Sequence, residues 1–287
     1  MTTTDPRWTD ANGREIDEED RGLVYDVRTL VDRRRVLGLF GGVSAAALLA
    51  ACGSSSGSTG AASSSTSSGA SASDSSSAGG LTEVPDETAG PYPGDGSNGV
   101  NVLDDSGIVR KDITSSFGSS TTRAEGVPLT VRLTVRDTAT GDALTGAAVY
   151  LWHCTADGNY SLYSQGFENE NFLRGVQEVD ASGTATFTTV FPGCYSGRWP
   201  HIHFEVYGSA DDATTSGPIV KTSQIALPAE TCSAVYATTG YEASVANLAG
   251  TSLAADNVFG EDGGIHQIAS MAGDAASGYT ASLTIGV

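Results

Sequence analysis

Residues 129–136 read LTVRLTVR: Leu129, Val131, Leu133 and Val135 alternate with Thr130, Arg132, Thr134 and Arg136. An apolar side chain at every second position is the period of a strand with one face in a core and the other in water. Comparable short stretches recur at 147–152, 184–190, 201–207, 219–227 and 279–287. Turn signals separate them, such as Thr140-Gly141-Asp142, Asp157-Gly158-Asn159 and Ser182-Gly183. One short helix is expected over Ala229–Ala237, with Pro228 at its start. Strands at this spacing with little helix predict an all-β fold, an antiparallel β-sandwich with a minor helix.

The sandwich accounts for residues 81–287, enough chain for one good core. Upstream of it, residues 53–80 hold 14 Ser, 6 Gly and 5 Ala and no apolar side chain larger than alanine. Such a stretch cannot offset its ordering entropy by burial, so 52–80 is expected to be a flexible linker with a reach of roughly 30 Å. Farther upstream, Arg33-Arg34-Arg35 leads into an apolar run from Val36 to Ala51 that Gly38, Gly41, Gly42 and Ser44 interrupt. The run is too short and too diluted for a comfortable membrane span, and an export signal fits it better. The arginine pair resembles a twin-arginine signal, and Leu49-Ala50-Ala51-Cys52 resembles a bacterial lipobox. Residues 1–51 are therefore expected to be a signal segment. A lipidated Cys52 would tether the domain to the outer face of the cytoplasmic membrane, the chain's only link to a membrane.

Fifteen Lys and Arg face 34 Asp and Glu, a net charge of −19. Residues 81–287 carry eight of those cations and 24 of the acids, so the acidity belongs to the expected domain. A surface of this sign repels phosphate backbones and anionic lipid, which excludes nucleic acid as a partner. With Cys52 lipidated, Cys154, Cys194 and Cys232 remain, and an oxidising compartment allows them at most one disulfide. The spacing does not choose the pair. Oligomeric state is equally open, with a homodimer among the arrangements.

Chemistry concentrates around GRWPHIHFEV, residues 197–206. On a strand, His201 and His203 point to one face while Ile202 and Phe204 enter the core, which lets both imidazoles reach one point. Two satisfied structural histidines would show the same spacing. Further donors lie close by: Tyr160, Tyr195, Cys194 and Glu205. Glu205 continues the histidine face and would complete a two-histidine, one-carboxylate ferrous site. Two tyrosines would instead give hard phenolate ligands suited to Fe(III).

Five segments together carry a resemblance. They are Trp152 with Asp157-Gly158-Asn159-Tyr160; Phe172-Leu173-Arg174-Gly175; Phe191-Pro192-Gly193-Cys194-Tyr195; Arg198-Trp199-Pro200-His201-Ile202-His203-Phe204; and Glu87-Thr88-Ala89-Gly90-Pro91-Tyr92 upstream. In this order they resemble the intradiol ring-cleavage dioxygenases, the group of the protocatechuate and catechol dioxygenases. The resemblance implies a non-haem Fe(III) centre held by Tyr160, Tyr195, His201 and His203, with Tyr195 the ligand that moves aside for substrate. It implies that Arg198 steadies negative charge on the substrate, that Gln224 supports Arg198, and that Tyr92 lines the mouth. The implied reaction opens a catechol-type aromatic diol with O2 to a cis,cis-muconate outside the cytoplasm. In this chain Tyr195 and Arg198 are only three residues apart, closer than the family pattern. A binding lipoprotein for carbohydrate or aromatic ligands that keeps the sandwich without turnover is the alternative, and a lipoprotein scavenging zinc or copper through its histidines is a third reading. Arg174, like Arg198, is a candidate cation for a carboxylated substrate.

Overall fold

The computed structural model describes residues 81–287; the expected signal segment 1–51, Cys52 and the rest of the 52–80 linker lie outside the described residues. Eight strands form in chain order: β1 (Pro128–Arg136), β2 (Ala148–Trp152), β3 (Arg174–Glu178), β4 (Thr184–Val190), β5 (His201–Tyr207), β6 (Ile219–Ala226), β7 (Ser270–Asp274) and β8 (Gly278–Gly286). They make two four-stranded sheets ordered β4-β1-β8-β7 and β3-β2-β5-β6. Short helices α1 (Ala210–Thr214), α2 (Ala229–Tyr236) and α3 (Glu242–Ala249) follow β5 and β6, and a 3-10 turn covers Leu253–Ala255. Among the described residues no helix is long and apolar enough to cross a membrane.

The alternation in β1 works as its period predicts. Leu129, Val131, Leu133 and Val135 are buried against Phe187 of β4 and Ile285 of β8. From the other sheet, Val149, Leu151, Ile202, Phe204, Val206 and Ile225 meet them in the same core. Each such side chain contributes about 1.5–3 kcal/mol on leaving water. All pairings in the second sheet are antiparallel. The first sheet departs from the antiparallel expectation at one ladder, where β1 and β8 run parallel with Leu129 opposite Tyr279 and Val135 opposite Ile285. The chain closes that sheet by bringing its last strand alongside its first, a long-range pairing that local periodicity does not encode.

Every residue of β2 and β5 is buried. One face of each lies in the sandwich core; the other is roofed by connecting segments. On this roofed face Ala148, Tyr150, Trp152 and Tyr207 join a second apolar cluster with Tyr160, beside His201, His203 and Glu205. The face opposite the core therefore holds the polar residues of β5.

Two strands escaped the sequence reading for physical reasons. β3 is five residues long and begins with a buried arginine, and β7 is a largely exposed edge containing glycine. Cys154, Cys194 and Cys232 form no disulfide, within the limit of one pair that their number set. The three sulfurs instead lie near separate carbonyls: Cys154 near that of Gly193, Cys194 near Arg198 and Cys232 near Leu227.

Candidate metal centre

His201 and His203 project from the roofed face of β5 with their Nε2 atoms 3.1 Å apart. The Trp199 carbonyl lies 2.6 Å from His201 Nδ1, which places that ring's proton on Nδ1 and turns the Nε2 lone pair to the centre. His203 is held differently. Its ring stacks on Trp152, centroids 4.9 Å apart and nearly parallel, because Trp152 is its cross-strand partner. Burial, reinforced by the Arg198 charge, pushes the His201 pKa well below the ordinary histidine range. Burial, His201 and Arg198 do the same to His203. Both imidazoles are thus held in the neutral form that metal ligation requires.

Two phenols complete the group. The Tyr195 hydroxyl lies 3.0 Å from His201 Nε2. Tyr160, fully buried, sits with its ring 6.0 Å from that of Tyr195 and 6.4 Å from His203. Its loop is pressed against the Tyr195 segment at Gly193, where a Cβ would overlap the Ala156 carbonyl. The short link from Tyr195 to Arg198 is a turn with Gly197 at φ +84°, tight enough that both ends reach His201. Among the described residues no group of three or more His, Cys, Asp and Glu side chains is placed to hold a metal. The donor set here is two imidazoles and two phenols, which suits a hard trivalent ion and supplies no thiolate or carboxylate.

Arg198 is fixed beside this set. Its Nε donates to Asp256 Oδ2 at 3.0 Å and its Nη2 to Gln224 Oε1 at 2.7 Å, while Nη1 lies 3.5 Å from His201 Nε2. Burial opposes the guanidinium charge, but Tyr195 and Asp256 outweigh it and raise the pKa above the ordinary arginine value. Gln224 is itself held, donating to the Thr88 carbonyl at 2.9 Å. Asp256 went unread in the sequence. Its carboxylate has no exposed surface and also accepts from the backbone N–H of Trp199 (2.6 Å), Val258 (2.9 Å) and Phe259 (3.1 Å). The bonds to Val258 and Phe259 are local Asx-turn chemistry that the sequence can suggest. The partnership with Arg198, 58 residues away, is not.

Two segments wall the site. Residues 87–92 cross over it, with Gly90 at φ +73° and its absent Cβ only 3.2 Å from His203 Cε1. Tyr92 stands with its ring 5.0 Å from that of Tyr160. From the other side the segment following Asp256 brings Phe259 to 6.5 Å from the His201 ring. Glu87 is half-buried there, and burial raises its pKa to about 7, with Asp262 and Glu261 adding to the effect and Gln267 and Arg198 opposing it.

Two other candidates are spent elsewhere. Glu205 accepts from the Tyr207 hydroxyl at 2.8 Å, and burial with the nearby Asp95 charge raises its pKa to about 8, so its carboxyl is engaged by those two groups. Arg174 uses all five of its donors: Nε to Ser161 Oγ, Nη1 to the Pro93 carbonyl and Tyr150 hydroxyl, Nη2 to the Tyr92 and Ser161 carbonyls. It bolts the Tyr160 loop and the 92–93 segment to β3 and has no donor left for a substrate carboxylate.

Comparison with known proteins bears on this constellation. A protein-family model described as dioxygenase (Dioxygenase_C) matches residues 109–201. A stretch of 61 residues is 39% identical to a chlorocatechol 1,2-dioxygenase of Rhodococcus opacus, covering 21% of this chain and 23% of that protein. The chain thus spans about a quarter of the length of that curated relative. The fold is shared with the intradiol ring-cleavage dioxygenase of Tetranychus urticae, at a TM-score of 0.56 and 24% identity over 72% of this chain and 94% of that one. A second solved dioxygenase structure matches with a TM-score of 0.57, 24% identity and coverage of 71% and 93%.

Proposed function

We propose that this chain, whose residues 109–201 match a dioxygenase family model, is an exported intradiol ring-cleavage dioxygenase that opens catechol-type aromatic diols with O2. The observation that carries the reading is the clustering of Tyr160, Tyr195, His201 and His203 beside a charged, immobilised Arg198. Those four side chains would hold a ferric ion. Bound there, the ion would supply a Lewis acid to the two diol oxygens and so draw electron density from the ring.

The remaining work falls to the chain itself. Trp199 and Trp152 hold the two imidazoles in orientation. Tyr195 is half-buried at the end of a tight turn, and its oxygen is placed to take one of the protons that the diol must lose on binding. The second would pass to solvent as the diol binds. Arg198, locked by Asp256 and Gln224, presents fixed positive charge to oxygens that become negative as the ring loses aromaticity, and costs no reorganisation at that moment. The apolar roof of Tyr92, Tyr160 and Phe259 keeps bulk water from the reacting carbons. Both atoms of O2 end in the product, a cis,cis-muconate formed by cleavage between the two oxygenated carbons.

The address is part of the same reading: a twin-arginine signal over 1–51 exports the domain, and lipidated Cys52 with the 52–80 linker tethers it outside the cytoplasm. Iron-loaded protein incubated with catechol is expected to consume one O2 per muconate formed. Protein that holds iron and binds catechol yet consumes no oxygen refutes the enzymatic reading in favour of a binding lipoprotein.

A further inference from the structure

Where substrate selection resides follows from the cations, and it rests on the dioxygenase reading above. Among the described residues there are eight Lys and Arg. Lys221 is buried between Glu83 (2.6 Å) and Asp86 (2.9 Å). Arg110 donates to the carbonyls of Ser115, Asn171 and Arg174. Arg132 and Arg136 belong to β1, in the other sheet. Lys111 and Arg123 flank the 112–122 segment and are exposed; the Lys111 carbonyl accepts from Thr188 of β4, and Arg123 Nη1 donates to Ser115 Oγ.

That leaves Arg174 and Arg198 near the centre. Arg174 has no donor to spare. The charge of Arg198 is matched by Asp256, and its one less-occupied nitrogen, Nη1, faces His201, where diol oxygens belong, not the far side of a substrate ring. Acids, by contrast, gather on the walls. Glu87 lies on the segment crossing over His203, close enough to Arg198, Glu261 and Asp262 to feel their charges. Glu261 and Asp262 are exposed, follow Phe259 by two and three residues, and lie near enough for their charges to reach Glu87.

We infer that this site selects uncharged and cationic catechols and rejects catechols that carry a carboxylate on the ring. A ring carboxylate would enter between like charges with no guanidinium or ammonium to receive it. The penalty of two or three like charges within a Debye length is at least about tenfold in affinity at low ionic strength.

The test uses the iron-loaded full chain and three probes: catechol, 3,4-dihydroxybenzoate and 4-(2-aminoethyl)catechol. Equilibrium binding is measured without oxygen, then kcat/KM with oxygen. The benzoate is expected to bind at least about tenfold more weakly than catechol, and the amine at least as tightly as catechol. Raised salt and the double variant Glu261→Gln/Asp262→Asn should narrow the gap. Benzoate binding as tight as catechol overturns the inference, as does a gap that neither salt nor the double variant moves. Correctly ordered binding without turnover sinks the enzymatic reading and leaves the charge selection standing; failure of all three to bind sinks both.

Discussion

Substituting Asp256 should separate what the carboxylate does for the fold from what it does for Arg198. In Asp256→Ala the guanidinium loses the bond from Nε (3.0 Å), and the N–H groups of Trp199, Val258 and Phe259 lose their acceptor in a place without solvent. Breaking a buried pair from one side costs about 3–5 kcal/mol. Each amide left dry adds about 1–3 kcal/mol, but water admitted to the vacated space offsets part of this, so the net loss should stay near the pair value. Asp256→Asn keeps the shape and accepts some of the amides while removing the charge, so it should unfold at a temperature between the other two. Arg198 would then be held chiefly by Gln224 Oε1 (2.7 Å), and a guanidinium displaced by about 1 Å costs on the order of 100-fold in kcat. Thermal unfolding of the apo-protein and steady-state kinetics with catechol read the two effects separately. A cycle with Arg198→Gln shows whether Asp256 works through the arginine. If it does, Asp256→Asn/Arg198→Gln has the kcat of Arg198→Gln alone. Unchanged kcat in Asp256→Asn, or losses that multiply in the double variant, would refute the positioning role.

Three further outcomes are expected. Tyr160→Phe removes one phenolate donor, so ferric ion should bind more weakly and any tyrosinate-to-iron absorption in the visible should fall; retention of the full band would show that Tyr160 is not a ligand. Gly90→Ala imposes a side chain at φ +73° with its Cβ 3.2 Å from His203, which should cost about 1 kcal/mol of stability and disturb iron binding, as calorimetry of the two proteins checks. His153 is buried against Thr189 Oγ1 (2.7 Å), and burial lowers its pKa to about 4 from 6.5. The folded state resists protonation that the unfolded state accepts, so His153 contributes fully above pH 6.5 and loses up to about 3 kcal/mol as pH falls from 6.5 through 4. His153→Gln should flatten the denaturation midpoint across that window, and an unchanged slope would show that other groups govern acid unfolding.

The legible parts of the molecule were those in which local pattern and tertiary position coincide. Alternation in β1 announces a sandwich strand because one face truly lies in the core. His201 and His203 announce a shared face because the period of two survives in β5. Arg174 shows the opposite case. An arginine beside a ligand motif suggests a receptor for anions, yet it is saturated by the carbonyls of residues 92, 93 and 161 and the hydroxyls of Tyr150 and Ser161, and nothing in its neighbours says so. Asp256 and the β1–β8 pairing were illegible for the same reason, since both depend on partners brought together only by the closed fold.

The four donors lie between residues 160 and 203, close to the stretch that the family model matches, whereas the walls come from 87–92 and 256–267, outside that stretch. On the proposed reading, the chemistry and the choice of substrate fall to different parts of one gene. Substitutions in either wall would then retune which diols enter while the donors stay put, Gly90 and Asp256 being among the positions where wall and machinery touch. A library that varies 87, 261 and 262 and spares those two positions should yield many folded proteins that differ in appetite and share one reaction.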